Sequence, residues 1–121
     1  MKLRIRGNTV RARLSQSEVA AFAENGFIEE ITDFGNGQIL VCALTSVDAI
    51  EPRASFVNGT IEISIPTETV ETWAATDQVE IAGETETIKL LIEKDFKCLT
   101  PREGDEDHDT FPHPREAESS C

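Results

Sequence analysis

Five cations, Lys2, Arg4, Arg6, Arg11 and Arg13, fall between positions 2 and 13, a stretch that holds no acid. Guanidinium and ammonium groups at alternating positions are equipment for gripping a carboxylate or a phosphate, because each arginine offers a planar fork of donors. Cys98, His108 and His113, with Cys121 beyond them, have the ligand types of a zinc site. Cys98 has no second cysteine near it, however, and both histidines stand in a polar segment, so a solvated tail accounts for them more simply. Asp105-Glu-Asp-His-Asp109 could offer oxygens to calcium, but it lacks the spaced oxygens and central glycine of a calcium loop and reads as an acidic run. Cys42 lies in the apolar run Ile39-Leu-Val-Cys-Ala-Leu44, the setting of a small buried hydrophobe. No P-loop, dinucleotide fingerprint or serine elbow occurs, so neither an enzyme nor a cofactor is expected, and no metal is required.

The elements that must position the cations are local and readable. Residues 2 to 6 and 9 to 14 alternate with period two around Gly7-Asn8, which predicts a hairpin with a two-residue loop. That register sets Ile5 opposite Val10 and Leu3 opposite Ala12 on the buried side, with Arg4 opposite Arg11 and Lys2 opposite Arg13 on the other. All five cations then share one face. Directly opposed like charges destabilise a sheet, so something anionic is expected beside them. Acids of neighbouring elements, such as Glu29, Glu30 or Glu80, are one source. An anionic partner, whether an acidic protein, a phosphate or a nucleic acid, is a second. The chain's own acidic tail, lying across the ribbon until displaced, is a third.

Ser15-Gln-Ser-Glu18 has the form of a capping box ahead of Val19, Ala20, Ala21 and Phe22, with Gly26 as the stop, which predicts a short helix over roughly 16 to 25. Phe27 to Thr32 and Gln38 to Leu44 read as strands of a second hairpin joined through Asp33-Phe-Gly-Asn-Gly37. The unit is ββαββ, and it recurs. Residues 3 to 41 match residues 54 to 92 at a shift of 51 positions, by apolar pattern and turn chemistry more than by identity. Ile5 falls on Phe56, Gly7-Asn8 on Asn58-Gly59, Phe22 on Trp73, Ile28-Glu29 on Val79-Glu80, and Ile39 and Val41 on Leu90 and Ile92. The second unit therefore predicts strands at 53 to 57 and 60 to 65, a helix from Pro66, and strands near 78 to 82 and 87 to 94. Phe22 and Trp73 are expected to be core anchors at matching sites. The second hairpin carries Arg53, Ser55, Glu62 and Ser64 where the first carries its cations, so the basic face belongs to one copy alone.

The opening Lys2-Leu-Arg-Ile-Arg-Gly-Asn-Thr-Val-Arg-Ala-Arg-Leu14, the stretch Glu93-Lys-Asp-Phe-Lys-Cys-Leu99 and the ending Phe111-Pro-His-Pro114 resemble a family of small bacterial proteins of unknown function, over nearly the whole chain. That resemblance carries no catalytic or binding residues, and His113 stands where the family usually has an asparagine, which counts against a metal ligand there. At the level of the unit, Asn58-Gly-Thr-Ile-Glu-Ile-Ser-Ile-Pro-Thr-Glu-Thr-Val70 followed by Asp77-Gln-Val-Glu-Ile81 resembles the swapped-hairpin domains of transition-state regulators and antitoxins. Those are DNA-binding dimers, and two tandem copies could build such a dimer within one chain. The acidic second copy lacks the basic residues that DNA contact needs.

A chain of 121 residues has room for one core, which the two repeats must share. The expected fold is α+β, a tandem ββαββ duplication with mainly antiparallel strands and two short helices, arranged as one domain over residues 1 to 100 with repeats at about 3 to 44 and 53 to 94. Residues 101 to 121 hold two cations against seven acids and no apolar period, so an irregular acidic tail is expected, with Phe111 as its one aromatic anchor. A formal net charge of −12 opposes non-specific nucleic-acid binding. The charged, alternating start is neither a signal peptide nor a membrane span, and three widely spaced cysteines suit a reducing compartment, so a cytoplasmic location is expected. The residues point to a non-enzymatic binding or interaction module acting through Lys2, Arg4, Arg6, Arg11 and Arg13; the alternatives are a nucleic-acid-binding regulator of the swapped-hairpin type and an enzyme that no motif announces, whose sign would be a concave pocket holding carboxylates of perturbed pKa. They name neither its partner nor its oligomeric state.

Overall fold

A computed structural model describes residues 1 to 96. The chain runs β1 (Lys2–Arg6), β2 (Thr9–Leu14), α1 (Gln16–Asn25), β3 (Phe27–Gly35), β4 (Gln38–Val47), β5 (Arg53–Val57), β6 (Thr60–Pro66), α2 (Thr67–Ala75), β7 (Glu80–Glu84) and β8 (Lys89–Lys94). The order ββαββ thus occurs twice. The tail from 101 to 121 and the candidate ligands Cys98, His108 and His113 lie outside the described residues.

Local chemistry explains the element ends. Ser15 Oγ accepts from the Glu18 amide and the Glu18 carboxylate accepts from the Ser15 amide, so the capping box closes in both directions. At the other end Gly26 takes the left-handed conformation, φ 74°, and its amide donates to the Phe22 carbonyl. Helix α2 starts differently: Pro66 ends β6 and caps the helix with no side-chain hydrogen bond, so it precedes the helix where the sequence pattern set it as the first helical residue. The hairpin strands β3 and β4 each run three residues further than the alternation indicated, to Gly35 and Val47.

The strands form two four-stranded sheets, and neither belongs to one half of the chain. The first has the order β1-β2-β8-β7 and the second β3-β4-β6-β5. Hairpin partners are antiparallel, whereas the joints β2 with β8 and β4 with β6 are parallel. Each half therefore gives its first hairpin to one sheet and its second hairpin to the other. The core lies where the inner faces meet: Ala12, Leu14, Leu44, Ile63, Ile65 and Ile92 are closed off, and Phe22 and Trp73 seal it from the two helices at 0% exposure each. Trp73 Nε1 donates to the Val79 carbonyl at 3.0 Å, so the buried indole loses no hydrogen bond.

The register corrects the constant shift of 51 in the second hairpins. Ala12 pairs with Ile92, and Ile63, which is 51 positions after Ala12, pairs with Leu44; Leu44 and Ile92 therefore occupy matching places. Across their hairpins Leu44 faces Ile28 and Ile92 faces Ile81. Ile39 and Val41 consequently do not correspond to Leu90 and Ile92. They point to the opposite face, where Ile39 is exposed, because β3 and β4 form a longer hairpin than β7 and β8 and a fixed shift cannot follow the difference.

Candidate functional site

The first hairpin has the expected register. Lys2 pairs with Arg13, Arg4 with Arg11 and Ile5 with Val10 across the Gly7-Asn8 turn, where only Gly7 takes a positive φ, 55°. Alternation then puts Lys2, Arg4, Arg6, Arg11 and Arg13 together on the outer face of the first sheet. The buried side differs at its tip. Val10 is 5% exposed but Ile5 is 55% exposed, because the sheets leave an apolar cleft of about 530 Å³ at their hairpin ends, lined by Ile5, Leu40, Phe56, Ile61 and Ile88.

The carboxylates that meet the ribbon in described ion pairs are Glu93 and Asp95, not Glu29, Glu30 or Glu80. The parallel pairing of β2 with β8 sets Arg13 beside Glu93, whose carboxylate accepts from Arg13 Nε at 3.2 Å and lies 3.6 Å from Arg11 Nε. One acid so serves two arginines. Asp95, just past β8, sits 3.0 Å from Lys2 Nζ and is held there by its own amide, which donates to the Leu14 carbonyl at 2.8 Å. Glu93 is 13% exposed as a side chain, so these contacts are partly screened from water and stronger than a typical surface pair. Arg11 Nε is buried and has no hydrogen-bond partner among the described residues, the Glu93 contact being electrostatic at its distance.

Glu30 is engaged elsewhere. Its position on β3 points it between the sheets, where it and Glu18 receive hydrogen bonds from the Met1 ammonium. Burial works against that ammonium, but the hydrogen bonds and charges of Glu18 and Glu30 outweigh it and raise its pKa. Glu18 moves the opposite way: burial opposes its charge, yet the ammonium and the Ser15 amide hold its carboxyl below the ordinary value. Glu80 lies across from Glu93 on β7, so it shares the outer face with the ribbon one strand further along the row, without a described ion pair to it.

Cys42 is buried, and burial, followed by the Glu30 carboxylate, pushes its thiol above the ordinary range, which disfavours the reactive thiolate. No group of three or more metal-ligating side chains occurs among the described residues. No helix among them is long and apolar enough to cross a membrane. A groove of about 1060 Å³ runs between the helices, lined by Val19, Ala20, Ala23, Ala74 and Lys94, with Phe96 at its edge. The outer face of the second sheet differs from the first. There Ile31, Val41, Thr60 and Val57 lie in one row across the four strands, next to the row that holds Glu29 and Glu62.

The feature invisible to sequence reading is the pair of acids that meets the ribbon. Glu93 is 80 positions from Arg13, and only the exchange of hairpins between the halves brings them together. No curated protein and no solved structure matches this chain. A family model does, over residues 1 to 115, and the ribbon, the ion-paired strand β8 and the segment beyond it all fall inside the match, so the chain belongs to the family of unknown function DUF7009.

Proposed function

We propose that this protein is a small non-enzymatic cytoplasmic binding module that takes an anionic partner, an acidic protein segment or a phosphate-bearing ligand, on the cationic ribbon of its first hairpin. The observation that carries the reading is the gathering of five cations on one face of the first hairpin. Among the described residues, Glu93 on β8 and Asp95 just past it hold Arg11, Arg13 and Lys2 in place on that face. In this reading Arg11 and Arg13 are held in place by Glu93 and present their remaining donors outward, a preorganised fork for carboxylate or phosphate.

The scaffold, in the same proposal, is a fused pair of ββαββ units. The repeated element order, the exchanged hairpins and the matching burial of Phe22 and Trp73 support it. Exchange of hairpins also favours a second reading, a nucleic-acid-binding regulator of the swapped-hairpin type. Against that stand the net charge of −12 and the presence of Ser55, Glu62 and Ser64 where the other copy has its arginines.

Binding of polyglutamate and of duplex DNA to the full chain at low salt, compared with Arg4→Ser/Arg6→Ser, tests both readings. Polyglutamate should bind and the double variant should lose most of that binding. Equal binding by both proteins would remove the ribbon as the site. Tight DNA binding that falls steeply with salt would move the conclusion to the regulator.

A further inference from the structure

We infer that the outer face of the second sheet docks a basic amphipathic helical segment of a partner protein, on the row formed by Ile31, Val41, Thr60 and Val57. This face is distinct from the ribbon, which lies on the first sheet.

The other half of the fold supplies an internal control. Since Leu44 matches Ile92 and Ala12 matches Ile63, the row corresponds, strand by strand, to Glu84, Lys89, Thr9 and Arg6 in the first sheet. Threonine stands at one place in both. At the other three the first sheet carries charge where the second carries Ile31, Val41 and Val57, and Phe27 likewise stands where the first sheet has Glu80. The scaffold holds with charged side chains at these places, so the sheet does not need them to be apolar. Ile31 is 56% exposed and Val57 61%, with Phe27 and Ile39 also open to water, and a contiguous apolar surface of this kind marks a contact with another molecule.

Charge decides which molecule. Glu29 and Glu62 flank the row on one side and Asp33 on the other, each two residues, about 7 Å, along its strand. All three acids are exposed, and none is in an ion pair among the described residues. No cation stands in these rows. A second copy fits poorly. A two-fold axis parallel to the strands lays the row of Glu29 and Glu62 over itself, and one along the apolar row lays it over Asp33, so either dimer opposes acid to acid. A nucleic acid or an anionic membrane meets the same repulsion.

What fits is an apolar stripe with cations on both flanks. Across four strands the row spans about 14 Å, the length of roughly nine helical residues, so side chains at i, i+3 or i+4, and i+7 of a helix reach along it. With its side chains a helix is about 10 Å wide, which sets lysines or arginines on its two sides over the acids.

The probe is a synthetic amphipathic peptide of leucine and lysine, about 14 residues long, titrated into the full chain at low salt and followed by amide NMR shifts, beside the same peptide with glutamate for lysine. The lysine peptide should bind with shifts centred on Glu29, Ile31, Val41 and Glu62, and the glutamate peptide should not bind. Giving the row the residues of the first sheet, with Ile31→Glu, Val41→Lys and Val57→Arg, should abolish binding. Ile31→Thr/Val57→Thr keeps β-branched side chains and the strand, and should weaken binding if the triple variant folds poorly. Glu29→Gln/Glu62→Gln should weaken the lysine peptide about fivefold, a difference that should fade in about 1 M salt. Shifts confined to the groove between the helices, no binding, equal binding of the two peptides, or unchanged affinity in the row variants each overturn the inference. A dimer in sedimentation that Ile31→Thr/Val57→Thr dissociates would overturn it too, giving the face to a second copy.

Discussion

Replacing Glu93 with glutamine isolates what the ribbon costs the fold when its internal acid is silenced. The side chain keeps its shape and one acceptor, so packing changes little. What disappears is the charge that lies 3.2 Å from Arg13 Nε and 3.6 Å from Arg11 Nε. At an effective dielectric of about 20, each contact of that length is worth roughly 5 kcal/mol before desolvation and side-chain ordering are subtracted. Loss of a charge-assisted, partly buried contact leaves a net of about 2 kcal/mol, to which renewed repulsion between Arg4 and Arg11 adds some tenths. In a domain of this size that corresponds to a fall in Tm of roughly 10 °C. Thermal melts followed by circular dichroism at low salt should show it. Because the damage is largely electrostatic, part of the loss should return at high salt. A double-mutant cycle with Arg13→Gln should give a coupling of about 1 to 2 kcal/mol. A Glu93→Gln protein that melts within about 2 °C of the parent, with no coupling to Arg13, would show that Glu93 does not hold the ribbon and that its arginines are positioned by the backbone alone.

The two helix anchors should behave alike. Phe22→Ala and Trp73→Ala each empty a fully buried site and should cost about 3 to 5 kcal/mol in denaturant melts, the tryptophan change also removing one of the two hydrogen bonds that the Val79 carbonyl accepts; a cost below about 1 kcal/mol at either site would contradict its place in the shared core. The exchanged hairpins predict that residues 1 to 50 cannot fold as a monomer, since β2 and β4 both lose their parallel neighbours. Light scattering and circular dichroism of that fragment should find an unfolded monomer or a folded dimer in which β4 of one copy takes the place of β8 beside β2 of the other, and a folded monomer would contradict the topology.

The first hairpin, its Gly7-Asn8 turn, the capping box at Ser15 and the stop at Gly26 were legible in the sequence because each depends on residues within a few positions of one another. The outer placement of the five cations followed from period two alone. The acids that meet them did not, since no local rule pairs β2 with a strand 80 residues later, and a parallel joint has no turn to announce it. Glu30 looked available and is in fact committed to the Met1 ammonium, beside a small cavity that Met1, Leu3 and Glu30 line together. The six apolar residues from Ile39 to Leu44 hid the phase of β4, because an unbroken apolar run carries no alternation. That is why a constant shift mistook Ile39 and Val41 for partners of Leu90 and Ile92. Ile5 was misjudged for a related reason: alternation assigns a face, but whether that face is covered depends on the opposite sheet, which stops short at the cleft.

Comparison of the two sheets, position by position, separates what the scaffold needs from what the ribbon adds. Arg13 stands beside Glu93 in the first sheet, and at the matching joint of the second sheet Ser64 stands beside Thr45. Both members of the ion pair are replaced together by hydroxyl side chains. Arg11 gives way to Glu62 and Arg4 to Ser55, and those two still pair across their hairpin. A half-buried arginine or glutamate left alone at such a joint would be costly, so the pair has to come or go as a unit. The second sheet holds the same strand order without it. Charge on the first sheet is therefore surplus to the architecture, and Glu93 answers a problem that the ribbon itself creates. Under the proposed anion-binding role, the expected effects of Glu93→Gln therefore fall on stability, while those of Arg4→Ser/Arg6→Ser fall on binding.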